Sequence, residues 1–213
     1  MKRALIVSGG YAPHQPETCG EILRGLLEAE GMEVQHRLTL AAYDDEDLAG
    51  YDLIVPNWTV GEISVPTAKR LWAAVEGGVG LGGFHGGMID AFRNSDRFRF
   101  IAGGSYVAEP GAICRYRVTI AARGDPITEG IGDFDYQSEQ YYMHMDPAVT
   151  VLATTRFTAA PYPWLEGVAM PVVWKKPFGL GRVFVSALGH GPQEFDHPQM
   201  RRILLRGLLW ACR

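Results

Sequence analysis

Hydrophobic and polar positions change period several times in the first half of the chain, and this predicts strands and helices in turn. Short apolar runs have the length of buried strands, and longer stretches place apolar residues at helical spacing. Strands are predicted at 2–7, 33–38, 51–56 and 78–82, helices at 16–30 and 64–76, and a short helix start at 44–48. Ser64 stands where a helix cap is expected, with Pro66 in the following turn. The alternation predicts a mainly parallel sheet with helices on both faces.

The second half of the chain has strand-like runs that are separated by turns, with no long helices between them. These runs are 113–121, 135–144, 149–156, 171–175 and 181–187, and a helix is predicted at 198–210. Turn residues at 176–181 predict a hairpin between the last two strands. We therefore expect a single α/β domain over residues 1–213, with an antiparallel extension of the sheet in its second half.

A glycine-rich segment joins the fourth predicted strand to a helix-compatible stretch. The run Gly82-Gly83-Phe84-His85-Gly86-Gly87 is typical of a sharp strand–turn–helix elbow, in which glycines let a strained backbone raise one side chain above the sheet. Acyl-transfer enzymes place Ser or Cys at that point, whereas this chain has His85. An imidazole replaces a thiolate poorly as the nucleophile that forms an acyl-enzyme, so thioester chemistry is disfavoured.

Three histidines follow predicted strands, and in a parallel sheet such positions can converge at one edge. His14 follows the first strand, His85 the fourth and His190 the last. Because imidazole titrates near neutral pH, His85 and His190 are candidates for acid–base catalysis, with Glu139 as a further acid–base group. The alternative is that each histidine only satisfies a local backbone group.

Several aromatic residues lie in predicted loops or near strand ends, where they could stack on the apolar face of a sugar. Nearby polar side chains such as Arg93 and Glu139 suit its hydroxyl groups. The candidates for substrate binding are Tyr11, His14, Trp58, Phe84, Tyr141 and His144. Core packing is the alternative role for the aromatic members of this set.

A divalent metal cofactor stays open as an alternative at the same histidines. Imidazoles and a carboxylate can hold such an ion, and Glu139 with His144 would supply further ligands. However, no pair of histidines has His-x-His or His-x-x-x-His spacing, and the three cysteines are widely separated. The sequence therefore assigns no metal ligand.

Composition narrows the partners that we expect. A formal net charge of −4 and a pI near 5.9 argue against nucleic acid. No apolar run reaches the ~20 residues of a membrane helix. The glycines near residue 80 lie within a strand instead of opening a helix, so they do not indicate a dinucleotide site. An odd number of scattered cysteines favours a reducing, cytoplasmic location.

Four stretches in this order resemble the trehalose-utilisation (ThuA-like) family, within the class I glutamine amidotransferase-like superfamily. They are Ser8-Gly9-Gly10 with His14, the elbow at 82–87, Ser138-Glu139-Gln140-Tyr141, and 179–190. The resemblance implies a flavodoxin-like three-layer sandwich and a role in carbohydrate utilisation, with oxidised (3-keto) disaccharides as the substrate class. It also implies a homodimer.

The superfamily's active amidotransferases carry a nucleophilic Cys at the elbow and a His after a later strand, followed closely by Glu. By this resemblance His85 takes the elbow position and His190 matches the later His, while Glu194 follows four residues on instead of two. Glutamine hydrolysis is therefore not expected. We expect His-based acid–base chemistry on a sugar or a trehalose-related keto-disaccharide, as an isomerase, lyase or hydrolase. The alternative is a non-catalytic sugar-binding or regulatory module.

Overall fold

Strands and helices alternate through the first half of the chain in the computed structural model, which describes residues 1–213. The elements are β1 (Arg3–Gly10), α1 (Pro16–Ala29), β2 (Glu33–Arg37), α2 (Ala42–Asp45), β3 (Leu53–Thr59), α3 (Val65–Glu76), β4 (Gly80–Phe84), α4 (Gly86–Ile89) and α5 (Asp96–Ala102). The second half adds β5 (Gly104–Ala108), β6 (Ile113–Ile120), β7 (Phe134–Glu139), β8 (Tyr142–Met145), β9 (Thr150–Arg156), β10 (Ala169–Phe178), β11 (Gly181–Ser186) and α6 (Pro198–Ala211). Short 3₁₀ turns lie at Ala12–His14, Leu48–Gly50, Pro163–Leu165 and Pro192–Asp196.

Nine strands form one sheet in the order β2-β1-β3-β4-β11-β10-β9-β6-β7. The five strands from β2 to β11 are parallel, and the four from β10 to β7 continue the sheet with antiparallel pairing. Helices α1 and α6 pack on one face, while α3 and α5 pack against each other on the opposite face. The expected α/β three-layer sandwich with an antiparallel extension is confirmed.

The central strands are buried on both faces, as strands of a parallel sheet between two helix layers must be. Leu5 and Ile6 of β1, Ile54 of β3 and Leu81 of β4 are fully buried. The predicted cap of α3 is confirmed, because Ser64 Oγ accepts a hydrogen bond from the backbone N–H of Thr67 at 3.1 Å. No helix is long and apolar enough to cross a bilayer.

Three local predictions differ from the structure. The run 135–144 was expected as one strand, but it breaks at Gln140 and Tyr141 into β7 and β8, which pair with different partners. The short elements α5 and β5 were not predicted, although Ser95 caps α5 by accepting from Phe98 N–H at 3.2 Å. Strand β10 also runs to Phe178, so its hairpin turn is shorter than the predicted 176–181.

Candidate metal centre

His85 stands at the tip of the elbow between β4 and α4 in a strained backbone conformation. Its φ of 50° and ψ of −150° are unusual for a residue with a side chain. The backbone N–H donates to Ser186 O at 2.7 Å, and ring Nδ1 lies 3.3 Å from Ala187 O. A carbonyl can only accept, so Nδ1 carries a proton, and in the neutral ring Nε2 then has the lone pair. That Nε2 lies 2.7 Å from the Tyr141 hydroxyl.

The elbow also needs close packing beneath it. A Cβ atom built on Gly87 would lie 2.9 Å from Asn57 Cα on the neighbouring strand β3. Glycine at this position therefore lets the start of α4 approach the sheet, which holds the elbow and His85 in place.

His14 reaches the same place from the 3₁₀ turn after β1. Its Nδ1 pairs with Thr59 Oγ1 at 3.0 Å, which leaves Nε2 free. The ring centroid lies 4.9 Å from that of His85 and 4.7 Å from that of His190. Burial and the neighbouring imidazoles of His85 and His190 lower the pKa of His14 to about 3, so its ring is neutral near pH 7.

Glu139 ends β7 and places its carboxylate between two of the imidazoles. Its Oε2 lies 3.1 Å from His85 Nε2 and 3.4 Å from His190 Nδ1. Burial alone would raise the pKa of Glu139, but hydrogen bonding and charge from His190 and His85 outweigh it and hold the pKa well below its usual range. The carboxylate is therefore ionised.

His190 follows β11 and differs from the other two histidines in how its ring is held. Its Nδ1 is buried and lacks a well-aligned hydrogen bond, and it lies 3.4 Å from the Glu139 carboxylate. The Glu139 carboxylate raises the pKa of His190 in spite of partial burial. His190 therefore favours the protonated state more than an ordinary histidine does.

Four groups from four separate segments thus meet in what we name the histidine cluster: His14, His85, Glu139 and His190. One potential ligand atom from each lies within 4.8 Å of all the others. Imidazole nitrogens and a carboxylate oxygen are the donors that zinc and similar divalent ions take. His14 and His85 each hold one ring nitrogen on a hydroxyl or carbonyl oxygen, as metal-binding histidines do, and the second nitrogen of His85 faces Glu139 and the Tyr141 hydroxyl. The cluster therefore fits a divalent cation, whereas His144, which was considered as a further ligand, lies outside it.

The predicted substrate-binding residues fall into three groups. Tyr11 and Tyr141 line a cavity of about 200 Å³ together with His14 and Glu139. Phe84 packs in the core edge-on to Phe195, and Trp58 packs over Gly9 and Gly61, so neither joins this cavity. His144 lines a second cavity.

Besides Arg93, five further residues line the cavity that opens on the histidine cluster and are not among the substrate-binding candidates given above. They are Thr59, Val60, Asp90, Tyr106 and Glu109. Thr59 ends β3 at the carboxyl edge of the sheet, and this position is a signal that the sequence does contain. Asp90 accepts hydrogen bonds from Arg93, three residues further along the chain. An acidic and a basic residue at this spacing can also be recognised as a possible pair from the sequence.

A cysteine or Ser-type nucleophile is not among the groups of the cluster. Cys19 has its Sγ 3.4 Å from the carbonyl oxygen of His14, and burial raises its pKa to about 12. Glu194 accepts hydrogen bonds from Tyr136 and Ser138 instead of pairing with His190. A Cys–His–Glu arrangement for glutamine hydrolysis is therefore not formed.

The sheet topology and the elbow define a protein of the class I glutamine amidotransferase-like fold in which an imidazole cluster occupies the nucleophile position. The profile of the ThuA family, described as trehalose utilisation, matches residues 3–211. The chain belongs to this family, and a role in carbohydrate utilisation in general follows from that membership. No curated protein matches the sequence significantly.

Solved structures show the same fold at low sequence identity. A ThuA-like protein from Parabacteroides merdae is 18% identical with a TM-score of 0.81, and the alignment covers 99% of this chain and 89% of the other. A ThuA-like protein from Bacteroides uniformis is 18% identical with a TM-score of 0.78, covering 99% and 91%. A β-galactosidase from Bacillus circulans sp. alkalophilus is 14% identical with a TM-score of 0.59, covering 99% of this chain but 30% of that enzyme.

Proposed function

We propose that the histidine cluster binds a divalent transition-metal ion and that the protein uses it to process a sugar or keto-disaccharide. The observation that carries this proposal is the convergence of three imidazoles and one ionised carboxylate within 4.8 Å. The match to a trehalose-utilisation family supports a sugar as the substrate.

Within the cluster, His14, His85 and Glu139 are the metal ligands in this proposal. Each of the two imidazoles has its Nδ1 fixed by an oxygen outside the cluster, and Glu139 is anionic. Two histidines and one carboxylate leave coordination positions open, as in catalytic zinc sites. An ion held by these residues would act as a Lewis acid on a carbonyl of the sugar.

His190 is the acid–base group of the proposed reaction, since its ring is not fixed by a second partner and it stands beside the ligands. Its neutral form removes a proton from the carbon next to the keto group. The electron pair of that C–H bond forms an enolate. In an isomerisation, the protonated His190 returns the proton to the former carbonyl carbon while the proton of the neighbouring hydroxyl moves to the former keto oxygen; in an elimination, the electron pair instead breaks the glycosidic C–O bond. In the second case the protonated His190 returns its proton to the departing oxygen. The step needs no oxidant or reductant.

Turnover measurements test this proposal. Purified protein would be incubated with 3-keto-trehalose, trehalose or glutamine, with and without Zn²⁺, Mn²⁺ or Co²⁺. We expect product from the keto-sugar only when a metal is bound, and loss of activity in His190→Ala with the metal retained. Product from glutamine alone would overturn the proposal. Binding of the keto-sugar without turnover would instead support the non-catalytic sugar-binding module.

The cytoplasmic location also stays a proposal. Its support is the presence of three free cysteines, Cys19, Cys114 and Cys212, two of which are buried.

A further inference from the structure

A second cavity lies directly beside the one that opens on the histidine cluster. It has a volume of about 190 Å³, close to the 200 Å³ of the first. The two cavities share three lining residues, Asp90, Arg93 and Tyr106. We name the first the cluster cavity and the second the distal cavity.

The three shared residues form a connected polar wall between the cavities. Asp90 is buried and accepts two hydrogen bonds from Arg93, at 2.5 Å from Nε and 2.8 Å from Nη2. The guanidinium carbon of Arg93 lies 5.3 Å from the centre of the Tyr106 ring. Arg93 has 60% of its side chain exposed, so the wall has solvent on one side.

The size of the two cavities favours one ligand that spans both. Small-molecule pockets usually have volumes of roughly 300–1,000 Å³, so either cavity alone is too small and the two together are in that range. The distal cavity is also lined by both apolar and polar side chains, and a sugar ring makes contacts of both kinds. Met88, Phe92 and Phe98 supply apolar surface, and Ser105 and His144 supply polar groups.

We propose that the distal cavity is the subsite for the second ring of a disaccharide whose first ring lies at the histidine cluster. Asp90 and Arg93 contact the hydroxyl groups next to the glycosidic bond, and Tyr106 packs against a ring. His144, predicted from the sequence to bind substrate, acts in this distal subsite. The proposal rests on the sugar-processing function above and adds where the second ring of the substrate binds.

Calorimetric titration of Zn²⁺-loaded protein with trehalose and with glucose tests the proposal. The perturbing variant is Ser105→Phe, which fills the distal cavity, and the matched control is Val107→Phe on the same strand, whose side chain is exposed and lines neither cavity. Circular dichroism and metal content confirm that both variants fold and stay loaded. A second variant, Arg93→Gln, is matched by Arg97→Gln on the nearby surface.

We expect wild type to bind trehalose at least about tenfold more tightly than glucose. Ser105→Phe should lower the affinity for trehalose about tenfold and leave glucose within twofold, and Val107→Phe should change neither. Equal affinities in wild type, equal losses for both sugars in Ser105→Phe, or no binding of either sugar would overturn the proposal. If the protein binds no metal but still shows the trehalose-specific loss, the metal proposal fails and the distal subsite stands.

Discussion

A buried carboxylate beneath the histidine cluster makes a testable contribution to stability. Glu194 is 8% exposed and accepts hydrogen bonds from the hydroxyl of Tyr136 and from Ser138 Oγ, the latter at 2.8 Å. No Lys or Arg pairs with it. Ser138 precedes Glu139, and Glu194 lies in the 3₁₀ turn after His190. The carboxylate therefore connects the two segments that carry these cluster residues.

The expected cost of Glu194→Ala follows from those contacts. The substitution removes the acceptor of the Tyr136 hydroxyl and the close acceptor of Ser138 Oγ, which is left with Gly189 O at 3.5 Å, and each such loss costs roughly 1–3 kcal/mol. The total is about 4 kcal/mol, a large part of the roughly 5–15 kcal/mol by which a domain is usually stable. With a urea slope of about 3 kcal/mol per molar, the unfolding midpoint should fall by about 1.3 M.

Urea unfolding followed by fluorescence measures this change, with Glu194→Gln as the matched control. The glutamine keeps the side-chain length and one acceptor oxygen, so we expect it to cost less than half as much. In a double-mutant cycle, Tyr136→Phe removes one of the orphaned hydroxyls and should add little to Glu194→Ala. A loss below about 1 kcal/mol in Glu194→Ala, or full additivity with Tyr136→Phe, would refute the reasoning.

Two further predictions concern the elbow and a buried ion pair. Gly87→Ala should destabilise the fold by about 1–3 kcal/mol in urea unfolding, because its Cβ would press on Asn57. Gly25→Ala, in open space on α1, should instead stabilise it by about 0.5–1 kcal/mol; equal effects would contradict the packing argument. Lys176 is buried, and its Nζ donates a hydrogen bond to Asp146 Oδ2 at 2.6 Å. Asp146→Asn should therefore lower the free energy of unfolding by about 3–5 kcal/mol at pH 7. The Lys176 ammonium lowers the pKa of Asp146, so this stabilisation is present above pH ~4 and lost below it; an unchanged acid slope in the variant would refute this.

Much of the fold could be predicted from the sequence, because the strands and helices of the parallel half have the usual hydrophobic patterns. Short apolar runs such as those around Ile6 and Ile54 become buried strands, and Ser64 caps α3 as its position in the sequence predicts. The antiparallel half was harder, since the break at Gln140 and Tyr141 depends on pairing with β5, a strand that lies far along the chain and was not predicted.

The site was predicted in part for a similar reason. His14, His85 and His190 all follow parallel strands, so the topology alone brings them to one edge. The same rule does not predict that Phe84 and His85, which are neighbours in the sequence, have different surroundings. The Phe84 side chain lies in the core, whereas that of His85 lies in the cluster. The tautomers of the rings and the position of Glu139 depend on contacts made only after folding.

The central claim is that His14, His85 and Glu139 bind a divalent ion beside His190. Its most direct test is to load metal-free protein with Co²⁺, then measure the bound metal by mass spectrometry and the geometry by visible absorption. We expect about one ion per chain in wild type and in His190→Ala, with absorption bands typical of four or five ligands that include imidazole. His85→Ala and Glu139→Ala should remove those bands and weaken binding at least about tenfold. Substoichiometric binding by wild type, or binding unchanged in His85→Ala, would contradict the account.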